Sequence, residues 1–377
     1  MENVNQTVNE SFSRESNFDL LRIICAFAVV AIHVSAQFIG AMTSDPRYVV
    51  IEFHDVFNST LWNVLSRFAV PCFVMLSGAF ILANDKNADF SFFYKKSLRK
   101  FFLPLLLFSF LYYLYSNILI VGGHFLIQKP DVLSLEVFFE PLLNWFKGVP
   151  FYHLWYMYML VGLYLFAPIL ILLKDQIGDK FFERTAWGLL ILSGMFAWGG
   201  DALVYWNPGY CFNYLGYFMV GYVLRKKAKQ NNLKGLLYIL LGVGAECLIA
   251  FLRFEEITCG IEEGPRSWID PLSPLIILAS IFIFYGFALL KIRRSFAFLS
   301  GLTFVIYLVH AGILQVIQIL SGEHFFNLYD VTGETRFSIP IICMLTFVLS
   351  ALFAYFYEKL NINKHMESIV FQRNKLS

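Results

Sequence analysis

Arg22 and His33 stand eleven residues apart in one apolar run. At 100° per residue, eleven steps make three helical turns plus about 20°, so both side chains face the same way, roughly 16 Å apart along the axis. Asp19, three residues before Arg22, shares that face and is placed to orient the guanidinium. A cation at the mouth of a helix and an imidazole well inside it suit a long anionic cofactor whose reactive end lies far from its charge. An imidazole with its ordinary pKa near 6.5 takes a hydroxyl proton at neutral pH. More plainly, a snorkelling arginine and an unrelated packed histidine would show the same spacing.

Two more ionisable residues interrupt apolar runs, Arg67 and Glu246. Charge inside hydrocarbon is costly and by default marks function. His33, Arg67 and Glu246 each lie about seven residues, or roughly 10 Å, from the end of their run that faces out. One depth for an imidazole, a cation and a carboxylate points to a shared polar cavity, in which Arg67 could stabilise an oxyanion. The plainer alternative is that Arg67 and Glu246 simply neutralise each other between helices. The cysteines, Cys25, Cys72, Cys211, Cys247, Cys259 and Cys343, form no CxxC or Cys/His cluster, so no zinc site or disulfide framework is expected.

The elements that position these residues follow from composition. Of 377 residues, 58% are hydrophobic and 15% charged, against about a quarter charged in soluble domains. Mean hydropathy is +0.63. Ten apolar runs are long enough for spanning helices, at 18–40, 60–83, 101–121, 153–173, 186–200, 210–225, 233–252, 273–290, 296–320 and 338–357. The fifth and sixth are short. The runs lack the period-2 alternation of a barrel. With the N-terminus inside, 22 of the 29 Lys and Arg residues fall on the cytoplasmic side and six outside, Arg67 lying within a span. The expectation is an all-α integral membrane protein, one bundle of about ten transmembrane helices with both termini cytoplasmic. Residues 1–16 and 358–377 read as polar cytoplasmic tails around one membrane domain, 17–357. The longest connections, 122–152 and the acidic 254–272, fall outside. No cleavable signal peptide is visible. A net charge of +2 gives no case for nucleic acid.

Six stretches carry a resemblance. NFDLLRIICAFAVVAIH (17–33) resembles the start of the membrane-bound acyltransferase 3 family, with its Arg-x10-His pattern. SRFAVPCFVMLSGAFIL (66–82), FYKKSLRKFFLPLLL (93–107), HLWYMYMLVGLYLFAPIL (153–170), YLGYFMVGYVL (214–224) and TFVIYLVHAGIL (303–314) are similar to later helices of that family, in order. Each is weak alone; six in order over roughly 17–357 are specific.

The resemblance implies an acyl group, often acetyl, moved from a cytoplasmic donor such as acetyl-CoA. The acceptor would be a sugar hydroxyl of an extracytoplasmic glycan or its lipid-linked precursor. It makes His33 the base or acyl-handling residue and Arg22 the donor-positioning one, with Lys96, Arg99 and Lys100 drawing the donor's phosphates to the surface or merely anchoring the helix. His153, Trp155, Tyr307 and His310 become further acceptor candidates beside Arg67 and Glu246, although Glu246 matches no family motif. No permanently bound cofactor is expected. The chain stops soon after the tenth span without an esterase-like domain, so the acyl group would be delivered directly or through a separate extracytoplasmic transferase. The site would lie in the cell membrane, contacting lipid, acyl-CoA and glycan. A transporter or flippase, or a sensor module derived from the family, remains the alternative. Against the first stand the missing inverted repeats; against the second, the presence of both Arg22 and His33.

Overall fold

A computed structural model of the chain describes residues 2–44, 53–126, 143, 151–199, 210–259, 268–320 and 335–360. Most of the 122–152 connection, Glu262, Glu263 and residues 361–377 lie outside the described residues. Every regular element among those described is helical. The α-helices are α1 (Glu2–Ser44), α2 (Phe53–Val64), α3 (Ala69–Ile81), α4 (Phe90–Ser97), α5 (Leu103–Leu126), α6 (Trp155–Ile177), α7 (Asp179–Trp198), α8 (Cys211–Lys227), α9 (Asn232–Thr258), α10 (Pro274–Leu289), α11 (Ala297–Leu320) and α12 (Thr335–Lys359). Among the described residues, seven helical segments are long and apolar enough to cross a membrane, and α10 is a shorter apolar helix. In hydrocarbon a backbone must satisfy its own polar groups, which is why apolar runs of this length fold as helices. The polar residues before the first span do not form a separate element: α1 begins at Glu2.

The chain divides into two compact units, one of Met1–Ala83, Lys174–Leu203 and Asn213–Tyr355, the other of Asn84–Leu173, Val204–Phe212 and Phe356–Ser377.

In the first unit, α1 is the axis. Its residues Val30, Ala31, Val34 and Phe38 pack with Val56, Phe254, Leu314, Ile339, Ile342 and Cys343. α1 and α11 run parallel, and three polar rungs set their register. Ser300 Oγ donates to Asp19 Oδ1 at 2.7 Å, the His33 and His310 rings stack, and Gln318 Nε2 donates to Gln37 Oε1 at 2.6 Å. The outer two rungs are the same number of residues apart on both helices.

The second span is broken. α2 ends at Val64, and four residues in turns separate it from α3. Pro71 explains the position: it lacks an N–H, and its ring clashes with the carbonyl four residues back, that of Arg67. The break therefore falls on Arg67, whose N–H bonds to Val64 three residues back. Past the break, α3 crosses α8 with almost no gap. A Cβ on Gly78 would meet the Phe218 carbonyl oxygen at 1.7 Å, and one on Gly221 would meet that of Met75 at 2.0 Å. Only glycine on both sides permits this approach.

α9 divides its faces cleanly. Leu236, Leu237 and Leu240 are exposed, as suits a lipid-facing side, while Gly235, Gly242, Glu246, Ile249 and Arg253 form a buried stripe.

In the second unit, α4 passes into α5 through a π-helical turn, Leu98–Phe102, where the Leu103 N–H bonds to the Leu98 carbonyl. Pro104 excludes an ordinary bond to the carbonyl of Lys100, and the wider turn accommodates it.

Candidate active site

At one end of α1, Arg22 Nη1 donates to Asp19 Oδ1 at 2.7 Å, the contact expected from their spacing. Asp19 also accepts the Ser300 hydroxyl and so is held from two helices. The Arg22 guanidinium carbon stands 4.5 Å from the centroid of the Phe80 ring, a cation–π contact. Because α1 is unbroken from Glu2 to Ser44, the geometric relation of Arg22 to His33 holds in the fold.

Three turns along, His33 is half-buried. Its ring lies 5.3 Å from that of His310 at an interplanar angle of 28°. His310 is fully buried, and its Nδ1 sits 2.6 Å from the carbonyl oxygen of Tyr307. Only an N–H makes that contact, so the neutral His310 ring carries its proton on Nδ1 and its lone pair on Nε2. Tyr307 and His310 are also ring neighbours, 5.4 Å apart. Two of the weaker sequence candidates thus gather around the strongest.

Arg67 reaches this layer from the break between α2 and α3. Its Nε and Nη2 both donate to Asn63 Oδ1, at 3.0 and 2.6 Å. Asn63 in turn donates through Nδ2 to Ser35 Oγ at 3.1 Å and to the Ile32 carbonyl at 3.2 Å. Asn63 therefore ties the cation to the turn of α1 that carries His33, and Arg67 interacts electrostatically with His33.

Glu246 is buried at 1% exposure, and neither carboxylate oxygen has a hydrogen-bond partner among the described residues. It lies beside the Phe68 N–H, at the amino end of α3, and feels the charge of Arg67. A helix amino end and a guanidinium both compensate a carboxylate. Arg67 and Glu246 are thus electrostatic neighbours rather than a hydrogen-bonded pair: Arg67 bonds to Asn63 instead. Asp270, in the connection before α10, also senses Arg67; burial pushes its carboxyl up, while the Leu272 N–H and Arg67 pull it back.

The remaining candidates belong to the second unit. His153 is fully buried in the short 3₁₀ turn Tyr152–Leu154, enclosed by the rings of Tyr112 at 5.1 Å, Phe151 at 5.6 Å and Tyr152 at 5.7 Å. Trp155 follows at the start of α6, its ring 6.1 Å from that of Tyr210. Lys96 Nζ donates to Asn87 Oδ1 at 3.5 Å and stands 5.7 Å from the Phe92 centroid. Arg99 and Lys100 are exposed on the π-helical turn.

Sequence reasoning did not single out Asn63, Ser35, Ser300 or Phe80. Asn63 left a faint signal, four residues before Arg67. Ser300 left none, because 281 residues separate it from Asp19. Among the described residues no group of His, Cys, Asp and Glu could hold a metal ion.

Compared with known families, residues 15–355 match the model of an acyltransferase domain of the acyltransferase 3 type. No curated protein and no solved structure matches the chain.

Proposed function

The chain belongs to the acyltransferase 3 family, and on that premise we propose that it is a multi-pass cell-membrane O-acyltransferase with a cytoplasmic acyl-CoA donor, acetyl-CoA in the first instance. The acceptor is a hydroxyl of an extracytoplasmic glycan or its lipid-linked precursor. The observation that carries this reading is the polar track along α1. Arg22, steadied by Asp19, lies at one end, and His33, stacked on His310, lies about 16 Å along the same face. That length is comparable with a pantetheine arm, so the phosphates can stay near Arg22 while the thioester reaches His33. The donor is a substrate, with no cofactor resident in the protein.

The chemistry then needs one base and one anion-stabilising group. His33 takes the proton of the acceptor hydroxyl, and the oxygen attacks the thioester carbonyl carbon. Arg67 stabilises the oxyanion, held in place by Asn63. The new C–O bond forms, the C–S bond breaks, and the proton on His33 passes to the departing thiolate. His310 and Tyr307 shape the wall behind His33. Transfer through an acyl-histidine would instead make His33 the nucleophile, its nitrogen taking the acyl group as the C–S bond breaks and giving it to the acceptor oxygen afterwards, with Arg67 still stabilising the oxyanion. His153 and Trp155 are proposed contacts for the acceptor, and Lys96, Arg99 and Lys100 draw the donor to the membrane surface. The acyl group reaches the acceptor directly or through a separate extracytoplasmic transferase.

Mass spectrometry of surface glycans from cells with and without the gene tests the reading. Loss of an acyl substituent on deletion, restored by the wild-type gene, supports it. Identical acylation in both strains contradicts it.

A further inference from the structure

The polar face of α1 does not end at His33. Gln37 follows four residues later, one turn farther and roughly 6 Å along the axis, on the face that carries Arg22 and His33. On the parallel helix α11, Gln318 stands eight residues beyond His310, and its Nε2 donates to Gln37 Oε1 at 2.6 Å. Three residues before it is Gln315, whose Oε1 is buried and has no hydrogen-bond partner among the described residues. None of these three amides takes part in the chemistry at His33.

Their placement is not that of amides turned toward lipid headgroups. At this level of α11 the exposed apolar residues are Val316, Ile319 and Leu320. At about 100° per residue, Gln318 lies nearly opposite them, on the side toward α1. Gln37 and Gln318 are half-buried rather than sealed. They stand within a turn of the span ends at Gly40 and Leu320, the ends that face out when the N-terminus is cytoplasmic. Glutamines do fasten membrane helices to each other, but this pair exchanges a single bond. Each amide offers one acceptor oxygen and an NH2 with two donors. Gln37 Nε2 and Gln318 Oε1 make no further hydrogen bond among the described residues. With the Gln315 oxygen they present donors and acceptors together. Hydroxyl groups, which both donate and accept, match that mixture; an anion would match only the donors and a cation only the oxygens.

We propose that Gln37 and Gln318, with Gln315 beside them on α11, form the acceptor subsite and bind hydroxyls of the sugar ring whose neighbouring hydroxyl reacts at His33. This rests on the glycan-acceptor reading above and deepens it by naming specificity-determining residues on the outer side of the base. A sugar held at both levels presents one hydroxyl to the imidazole and another to the amides a turn away, so the amides select which hydroxyl reacts. A site built to hydrogen-bond a hydroxyl also rejects a ligand that lacks it.

The test uses full-length protein in phosphatidylcholine nanodiscs, whose headgroups carry no hydroxyl, with acetyl-labelled CoA and varied concentrations of lipid-linked glycan extracted from host membranes. The variants are Gln37→Met and the double variant Gln37→Met with Gln318→Met, in which neither amide of the pair is left without its partner. The expected result is an acceptor KM raised roughly threefold to tenfold by Gln37→Met and at least as much by the double variant. CoA affinity and the midpoint of thermal unfolding should stay at wild-type values. An unchanged acceptor KM in the double variant overturns the subsite. So does a double variant that loses CoA affinity as well, unfolds at lower temperature or is too unstable to purify, since the pair then serves to fasten α1 to α11. If the wild type binds CoA but puts no label into the glycan, the acceptor reading itself fails, a result distinct from the others.

Discussion

The decisive contact at the level of single residues is the one between Arg67 and Asn63. A partly buried guanidinium needs acceptors, and Asn63 Oδ1 supplies two bonds at once. Replacing Asn63 by Ala should remove them and release the turn of α1 at Ile32 and Ser35, with a cost of about 1.5–3 kcal/mol to stability or to the transition state. Double-mutant cycles should give Arg67 a larger coupling with Asn63 than with Glu246, because the first pair shares hydrogen bonds and the second only a field. Equal couplings would show that the pairing of charges, not the bonding, fixes Arg67. For the donor, Arg22→Ala should raise KM for acyl-CoA with a smaller effect on kcat, and Arg22→Lys should recover only part, since a point charge replaces a planar fork. A pure loss of kcat at unchanged KM would move Arg22 into the chemical step. The Arg22–Asp19 contact was legible in sequence because both lie on one unbroken helix, where spacing is geometry. The Arg67–Glu246 relation was legible only as proximity, because the break before α3 turns Arg67 toward Asn63.

At the level of elements, the site depends on one break and one crossing. Pro71 places the break at Arg67, and the motif containing it was visible in sequence, but not the consequence that one span becomes two helices. The crossing of α3 and α8 is stricter. Gly78→Ala would drive a methyl into the Phe218 carbonyl, and backbone does not yield as a side-chain tip does. The variant should lose about 1–3 kcal/mol, read as a lower midpoint of thermal unfolding in detergent. A Gly78→Ala protein with wild-type stability would show that α3 and α8 stand farther apart. No periodicity in either helix announces this contact. Glycine is common in membrane helices, and only the opposed backbone shows which ones are needed.

At the scale of the whole molecule, the segregation of basic residues and the parallel course of α1 and α11 bear on the same question. Parallel helices require an odd number of crossings between them; the proposed ten-span arrangement, with both termini inside, places seven there. Reporter fusions after Lys375 and at Glu262 should report cytoplasm and exterior respectively; an exterior C-terminus would contradict the ten-span arrangement. Helical membrane character was readable from hydrophobic runs alone, since lipid imposes it. The partners of His33 were not, because α11 lies more than 260 residues away in sequence and nothing local encodes the stack. That stack also frames the test of the central claim, that His33 is the group that moves the proton. Wild type, His33→Ala and His33→Gln, purified into nanodiscs, are supplied with acetyl-labelled CoA and lipid-linked glycan extracted from host membranes, and label in the glycan is counted. Wild type should transfer. Both variants should insert and bind CoA normally yet transfer at background, since glutamine keeps a hydrogen bond but no base of suitable pKa. Substantial transfer by His33→Ala would contradict the account.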